Sequence, residues 1–352
     1  MSAPSFKLGV DGGGTKTEFI LVDAAGAVVA THIGPGCNPS LVGPDKAREI
    51  LAAGLAILLV RVKAAHVDAR VTATQLYMAG SPPFWQETAA AITGFGTVTT
   101  ATDSVPVLEL ATGGAPGLVL HAGTGSFVTA RAPDGSIRYA GGLGWKLGDP
   151  GSGFDLGRRA IAGAMLELQA GGAKKLSPLA EALRAHTGLA DYASNSRFFN
   201  TDAGANAAIS AFAPRVLELA EQDCGPAQQV VADSVTDLAR LADQVIHQLF
   251  LSGSAAVAGV ADPGDREVNA PGSTPPATSP SGFRFQRSGF AASAAIPCGV
   301  SGRILNSVPA AFALRSLATK LRWPVQLEFI TTAPIEGVRR LLAAGGGSRH
   351  ET

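Results

Sequence analysis

The chain has 352 residues, enough for two domains of ordinary size with substantial cores. Lys and Arg together number 28, and Asp and Glu together also number 28, so the formal net charge is zero. The chain therefore lacks the excess of basic residues that is typical of a general nucleic-acid-binding protein. No apolar run approaches the ~20 residues of a membrane helix. The opening MSAPSFK is too short and polar for a secretion signal, so we expect a cytoplasmic protein that binds neither membrane nor nucleic acid.

The three cysteines lie far apart, without a CxxC pair. This distribution argues against a disulfide scaffold and against a zinc finger. We expect Cys37, Cys224 and Cys298 to be small buried or half-buried side chains.

The first distinctive stretch is "GVDGGGTKTEFILVDAAG", residues 9–26. Its order is wrong for a Walker A loop, in which Lys precedes Ser or Thr and a helix follows; a dinucleotide fingerprint also requires a helix. Here the apolar run 19–22 ends at Asp23 and Gly26, which predicts a strand and a hairpin turn. The glycines are therefore predicted to form a turn between two strands. Their backbone N–H groups could bind phosphate, or glycine could be needed there only because the turn is tight.

The next elements alternate. The apolar spacing of 46–63 predicts an amphipathic helix, and residues 75–79 and 97–101 predict short strands. The second of these strands delivers Asp103 at its carboxyl end.

A partial echo of the opening begins at Gly123 with "GTGSFVTARAPDGSIRYAGG". Gly14 precedes Asp23 by nine positions, and Gly125 precedes Asp134 by the same number. Two glycine-rich hairpins with this shared spacing predict two structurally related lobes that face each other and hold a triphosphate between them.

The remainder is predicted to be mostly helical, with helices at 156–168, 179–186, 204–221 and 227–250. Residues 261–288, rich in Pro, Gly, Ser and Thr, are interpreted as a flexible insertion. A strand at 291–297, a turn at 299–302, a helix at 309–321 and a strand at 325–330 follow, and the tail 345–352 is expected to be disordered. The predicted lobes are 1–117 and 118–344.

Five motifs, spread in order over residues 11–160, carry a family resemblance: "DGGGTKTEFILVD", "GCNPS", "TDS", "AGTGS" and "GGLGWKLGDPGSGFDLGRRA". The sequence resembles the actin-like, hexokinase and Hsp70 ATPase superfamily. Within it, the chain is similar to the BadF/BadG/BcrA/BcrD-type ATPases, and especially to their N-acetylglucosamine kinase branch. The resemblance implies an α/β fold of two ribonuclease-H-like lobes with ATP in the cleft between them.

The resemblance, together with the chemistry of the glycine loops, assigns candidate roles. Asp103 is the candidate general base and Asp11 the candidate Mg²⁺ residue, through water. The candidate ATP and phosphate contacts are Gly12, Gly13, Gly14, Thr15, Lys16, Gly123, Thr124, Gly125, Gly299 and Gly302. The candidate sugar contacts are Asn38, Ser126, Gly142, Leu143, Gly144 and Asp149.

Several of these residues also have purely structural interpretations. Asp103 and Asp149 could be turn or helix-cap aspartates, and Asn38-Pro39 is also a common turn dipeptide. His121 is expected to be structural, and Trp145 either stacks on a sugar or simply packs. Arg158 and Arg159 are expected to form a surface pair on a helix rather than phosphate clamps.

The chain departs from the family pattern at three places: Thr102 replaces a common Asn, Pro150 replaces an acidic residue, and "CGVSGR" spreads the adenosine-side glycines after an insertion of about thirty residues. These changes leave an inactive sugar-binding relative open as an alternative.

The predicted function is ATP-dependent phosphorylation of an amino sugar, most simply N-acetylglucosamine to its 6-phosphate, with glucosamine or another hexose as alternatives. An ATPase activator of a 2-hydroxyacyl-CoA dehydratase or benzoyl-CoA reductase would need paired cysteines for an iron–sulfur cluster, which three isolated cysteines do not offer. A sugar-responsive repressor would need a helix-turn-helix, for which the few residues before the first strand leave no room. A homodimer remains open.

Overall fold

A computed structural model describes residues 4–171, 175–251 and 295–344. The predicted insertion at 261–288 and the tail 345–352 lie outside these described residues. Two five-stranded sheets dominate the described chain. The α/β class and the two-lobed arrangement are therefore confirmed.

The first sheet has the strand order β3-β2-β1-β4-β5, in which β1, β2 and β3 are antiparallel and β4 and β5 run parallel to β1. Asp23 Oδ1 accepts hydrogen bonds of 2.9 Å from the backbone N–H groups of Ala25 and Ala27, which closes the predicted hairpin turn. The strands are β1 (Ser5–Gly12), β2 (Lys16–Val22), β3 (Val28–Pro35), β4 (Arg70–Met78) and β5 (Thr97–Thr102).

The second sheet repeats this topology as β8-β7-β6-β9-β10, with three antiparallel strands followed by two strands parallel to β6. Its strands are β6 (Gly117–Ala122), β7 (Ser126–Arg131), β8 (Ile137–Gly141), β9 (Ile296–Ser301) and β10 (Val325–Ile330). Identical strand order and direction in both sheets confirm the structural relationship that the repeated hairpins predicted. The turn predicted at 299–302 is wrong at its start, because Gly299 pairs with Glu328 inside β9.

The predicted helices are present, and five short helices were missed. Pro82 occupies the first turn of one of these missed helices, where its missing N–H costs nothing. The helices are α1 (Pro39–Val42), α2 (Pro44–Ala65), α3 (Pro82–Ala91), α4 (Ser104–Thr112), α5 (Gly153–Ala170), α6 (Pro178–Thr187), α7 (Tyr192–Thr201), α8 (Ala205–Glu221), α9 (Gly225–Ile246), α10 (Val308–Lys320) and α11 (Pro334–Ala343). The five missed are α1, α3, α4, α7 and α11. Of the helices described here, none combines the length and the apolar character that a bilayer crossing requires.

Each sheet has its own hydrophobic core, and all three cysteines are buried in these cores, as expected. Two missed helices, α4 and α11, join the lobes. Val107 and Leu108 of α4 pack with Val119 and Phe127 on the second sheet. In α11, Val338 and Leu342 are buried among residues of the first sheet.

These two helices also meet each other closely. A methyl group on Gly337 of α11 would lie 2.1 Å from the carbonyl oxygen of Pro106 in α4, so only glycine permits the approach. Helix α4 therefore follows β5 of the first sheet and rests on the second, with Asp103 at its N-terminus between the two sheets. The boundaries 1–117 and 118–344 stay a prediction: they separate the strands of the two sheets, but α11 contacts the first sheet.

Candidate active site

The first glycine-rich turn, residues 13–15, joins β1 to β2. Gly13 donates a 3.0 Å hydrogen bond to the carbonyl of Lys16. The turn's own carbonyls are held from behind: Cys37 N donates to Gly13 O and Gly36 N donates to Thr15 O, both at 3.1 Å. Within the described chain, the N–H groups of Gly14 and Thr15 meet no acceptor. The turn therefore presents unpaired donors to an incoming anion.

Gly36 makes this arrangement sterically feasible. A methyl group there would lie 2.1 Å from the carbonyl oxygen of Gly14, so a larger residue would push the supporting segment away from the turn. The same segment continues into Asn38, whose Oδ1 accepts from Ser40 N at 3.0 Å as the N-cap of α1. Asn38 thus has the structural role that was considered for it, and its predicted sugar contact would have to use its remaining amide group.

The second glycine-rich turn joins β6 to β7 and follows the same plan. Gly123 N donates to Gly125 O at 2.8 Å, and Gly153 N, at the start of α5, donates to Gly123 O at 2.8 Å. The N–H groups of Thr124 and Gly125 meet no acceptor among the residues with assigned structure. In both predicted phosphate turns, a neighbouring segment therefore donates hydrogen bonds to the carbonyls, while two N–H groups of the turn stay unpaired.

Three carboxylates lie near the first turn. Asp11 on β1 pairs in register with Glu18 on β2, which places both side chains on one face of the sheet. Burial first, and then the negative charges of Asp103 and Glu18, raise the pKa of Asp11 to about 7. Burial also raises the pKa of Asp103 to about 6. Glu18 was missed by sequence reasoning, although its same-face spacing from Lys16 was a usable signal.

This acidic group fits Mg²⁺ held through water. A divalent cation would relieve the mutual repulsion that raises the pKa of Asp11, and Mg²⁺ favours a few carboxylates together with waters and substrate phosphates. Among the described residues, no group of three His, Cys, Asp or Glu side chains is arranged to ligate an ion directly. Lys16 Nζ lies 2.5 Å from Glu18 Oε2, so its charge is paired here rather than aimed at the turn.

The carboxylate of Asp103 is not consumed by a structural role. It stands at the N-terminus of α4 but makes no capping hydrogen bond, while the neighbouring hydroxyls of Thr102 and Ser104 bond to each other at 2.8 Å. The helix-cap interpretation of its side chain is therefore wrong. A half-buried, unpaired carboxylate at the positive end of a helix can accept a proton from a substrate hydroxyl.

Asp149 is also not a helix cap, because Ser152 takes that place in α5 and accepts from Asp155 N at 3.1 Å. Asp149 is only 6% exposed, and burial raises the pKa of its carboxyl. Oδ1 accepts from Gly144 N at 2.9 Å, and Oδ2 would lie 3.1 Å from a methyl group on Gly125. The carboxylate thus stands beside the second phosphate turn, with Oδ2 next to Gly125.

The other predicted sugar contacts surround Asp149 in the loop from β8 to α5. Gly142 and Gly144 have φ angles of +63° and +81°, which favour glycine, and Leu143 is exposed. The Ser126 hydroxyl donates to Pro150 O at 2.7 Å, so it already braces this loop against the second turn. The Trp145 ring lies 5.6 Å from that of Phe154 and is 37% exposed, which leaves one part packed and another free.

Gly299 and Gly302, the two glycines predicted to lie on the adenosine side, have different structural roles. Gly299 is buried in β9, where a methyl group would lie 2.5 Å from Cβ of Ala111 in α4, so it serves close helix–sheet packing. Gly302 has a φ of +89° and abuts the carbonyl of Ala122, one residue before the second turn. Of the two, Gly302 is the one placed beside the phosphate turns.

His121 has the structural surroundings expected of it. Its Nδ1 lies 2.8 Å from Ser301 Oγ, its ring stacks on Phe127, and burial lowers its pKa to about 4. Arg158 and Arg159 were expected to form a pair on the helix surface, and only Arg158 is exposed. Arg159 is half-buried, and its guanidinium joins the buried Asp155 at 2.9 Å to the half-buried Asp237 at 2.6 Å.

Sequence reasoning also missed the support of the Asp149 loop by α9. Ser234 of α9, fully buried, donates to Asp155 Oδ2 at 2.6 Å and accepts from Gly151 N at 3.1 Å. These contacts link residues about eighty positions apart, and no local pattern signals them. They hold the turn that carries Asp149 against the helical layer.

Ser234→Ala should lower the free energy of unfolding by about 1–3 kcal/mol, because it removes a buried hydroxyl that donates to the Asp155 carboxylate and accepts from Gly151 N. It should also weaken sugar binding more than ATP binding. Chemical denaturation and calorimetric titration would measure the two effects. Ser316→Ala, on the exposed face of α10, is the control, and equal effects of both substitutions would contradict the role given to Ser234.

Comparison with known proteins bears directly on this site. The sequence profile of the BadF/BadG/BcrA/BcrD ATPase family matches residues 8–259, a range that contains both phosphate turns, Asp103 and Asp149. The chain belongs to this ATPase family. As a family member, it is 29% identical over 162 residues to N-acetyl-D-glucosamine kinase of Dictyostelium discoideum, an alignment that covers 43% of this chain and 51% of that relative. The match thus spans about half the length of this curated relative.

Solved structures give the same fold for this family member. A protein provisionally assigned as an N-acetylglucosamine kinase from Chromobacterium violaceum superposes with a TM-score of 0.66 at 24% identity, over 96% of this chain and 98% of the other. A ROK-family glucokinase from Streptomyces griseus, solved with glucose and AMPPNP, superposes with a TM-score of 0.51 at 14% identity, over 95% and 97% of the two chains. At these identities the comparisons establish the actin-like two-lobed fold.

Proposed function

We propose that this chain is an ATP-dependent sugar kinase that transfers the γ-phosphoryl group of ATP to an amino sugar, most simply to the 6-hydroxyl of N-acetylglucosamine. The supporting observation is that each sheet presents a turn with unpaired N–H groups and a carboxylate that caps no helix close to it. The charge of Asp103 acts on Asp11 at the first turn, and Asp149 Oδ2 lies beside Gly125 of the second turn. The curated relative named N-acetyl-D-glucosamine kinase directs the choice of sugar.

In the proposed mechanism, the unpaired N–H groups of the two turns hold the phosphate chain of ATP. Mg²⁺, held through water near Asp11, would neutralise phosphate charge when bound. Asp149 accepts hydrogen bonds from sugar hydroxyls and fixes the acceptor relative to the second turn. Asp103 accepts the proton of the attacking hydroxyl as its oxygen bonds to phosphorus and the bond to the ADP oxygen breaks.

Positioning supplies most of the catalysis in this proposal. Phosphoryl transfer requires little covalent help from the protein, so the N–H groups and carboxylates act mainly by holding the reactants in line. Thr102 stands where an asparagine is common in the family, and its hydroxyl bonds to that of Ser104. In this proposal Asp103 is therefore oriented by its place at the start of α4 rather than by residue 102.

The experiment is a coupled ADP-release assay with Mg²⁺ and a panel containing N-acetylglucosamine, glucosamine, N-acetylmannosamine and glucose. We expect ATP consumption that rises on addition of N-acetylglucosamine, with phosphate appearing on its 6-hydroxyl by NMR, and that is lost on chelation of Mg²⁺. Stimulation by another sugar would keep the kinase and change its substrate. ATP turnover that no sugar alters would contradict the kinase and favour an ATPase of another kind.

A further inference from the structure

Tyr139 lies on β8, two residues before the loop that carries Asp149. Its ring is supported on one side by a continuous aromatic stack. The His121 and Phe127 rings are 4.9 Å apart at 15°, and the Phe127 and Tyr139 rings are 5.4 Å apart at 28°. The side chain is nevertheless 46% exposed, so this stack covers one face of the ring and leaves the remainder accessible.

The hydroxyl of Tyr139 lies directly over Gly142. A methyl group on Gly142 would stand 2.2 Å from Oη and 2.7 Å from Cε1, so glycine at this position makes room for the phenol. Gly142 is two residues from Gly144, whose N–H bonds to Asp149. No residue of the described segments makes a hydrogen bond to the Tyr139 hydroxyl. The phenol is thus an unused polar group at the edge of the candidate sugar site.

The aromatic stack beneath Tyr139 also reaches the helix that follows the candidate base. Phe127, on which Tyr139 stacks, packs with Val107 and Leu108 of α4, the helix that begins after Asp103. Burial, and then the charges of Asp103 and Asp149, raise the pKa of Tyr139 well above its ordinary value. The phenol is therefore protonated near neutral pH and can donate a hydrogen bond.

A sugar bound at this site would need a hydrogen-bond donor as well as the two acceptors. Ionised Asp103 and Asp149 can only accept hydrogen bonds, so a sugar hydroxyl that donates to either one keeps lone pairs that need a donor. Leaving such lone pairs unpaired in a half-buried cleft costs binding free energy. Tyr139, whose phenol abuts Gly142 in the loop that carries Asp149, can supply such a donor.

We propose that Tyr139 is a further substrate-contacting residue, whose ring covers one face of a pyranose and whose hydroxyl donates to a sugar oxygen held between Asp103 and Asp149. This inference rests on the proposed kinase function and adds a specificity element to it. The second sheet then contributes both an acceptor, Asp149, and a donor, Tyr139, to the same sugar.

The test measures sugar and nucleotide binding separately by calorimetry on the full chain, with N-acetylglucosamine and with Mg-ATP. Tyr139→Phe should weaken sugar binding about three- to tenfold, as expected for loss of one neutral hydrogen bond, and Tyr139→Ala should weaken it further. Affinity for Mg-ATP should stay within about twofold of wild type in both variants. Ile137→Ala, an exposed position on the same strand, is the matched control and should change neither affinity.

The outcomes separate this inference from the proposed function. If wild type binds N-acetylglucosamine and Tyr139→Phe binds it equally well, Tyr139 is not a substrate contact although the kinase stands. Parallel loss of sugar and nucleotide affinity with a lowered melting temperature in Tyr139→Phe would also overturn the inference, because it marks a packing role. Absence of sugar binding by wild type would overturn the proposed function and this inference together.

Discussion

Replacing Asp103 by Asn should lower kcat by about 10²–10⁴-fold while ATP and sugar still bind, because general-base catalysis has about that value. Asn keeps the size of the side chain and removes the basic lone pair and the charge. Steady-state kinetics under conditions in which chemistry limits the rate would measure the effect. Asp45→Asn, on the exposed start of α2, is the matched control and should leave kcat unchanged.

A pH profile should follow the same group. Because burial raises the pKa of Asp103 to about 6, the fraction in the active carboxylate form falls as the pH drops below this value. We expect kcat/KM of wild type to decrease below about pH 6. The residual rate of Asp103→Asn should lack this decrease, and an identical acid limb in the two proteins would assign the titration to another group.

The stability of the Asp103→Asn variant should equal or exceed that of wild type at pH 7. Sequence reasoning placed this carboxylate in a solvated cleft, whereas the structure half-buries it and raises its pKa. The stability that comes from protonating Asp103 is fully present below its unfolded pKa of about 4 and is lost as the pH rises through 6. Asn carries no charge and avoids this loss, so a marked fall in melting temperature would point to an unseen structural role.

Replacing Asp149 by Ala should weaken sugar binding about tenfold to more than a hundredfold and leave ATP binding nearly unchanged. Removing one partner of a charged hydrogen bond costs about 1.5–3 kcal/mol, which corresponds to this range. The substitution also removes the acceptor of the 2.9 Å bond from Gly144 N, so the loop itself could loosen. Calorimetric titration with N-acetylglucosamine and Mg-ATP would measure both affinities.

Asp149→Asn separates these two contributions. It retains an oxygen that can accept from Gly144 N but removes the charge, so it should keep the melting temperature of wild type and still bind sugar weakly. Equal loss of nucleotide and sugar affinity in both variants would mean that Asp149 organises the site without contacting the sugar.

The sequence by itself determined the local features of this protein. Both glycine-rich hairpins, the Asp-Gly turns and the strand leading to Asp103 follow from residue types a few positions apart, since turn and strand preferences are set by the backbone over that range. The shared spacing of the hairpins predicted the two related lobes. The five motifs, in order along the chain, carried the resemblance to the family. These predictions are confirmed because both sheets have the same strand order and the family profile covers both hairpins.

Only the tertiary structure decided how these features meet. Helices α4 and α11 were missed because they span only nine and ten residues. The apolar pattern of α4 is weak, and although α11 has a clear amphipathic pattern, only packing shows that both cross between the lobes. The Ser234 support of the Asp149 loop and the stack beneath Tyr139 join residues that are distant in sequence or lie on neighbouring strands. Their contacts depend on strand register and helix packing, which local propensities do not encode. The same reason explains Asp149: sequence allowed a cap or a ligand contact, and packing gave the cap to Ser152 and left Oδ2 of Asp149 beside the second phosphate turn.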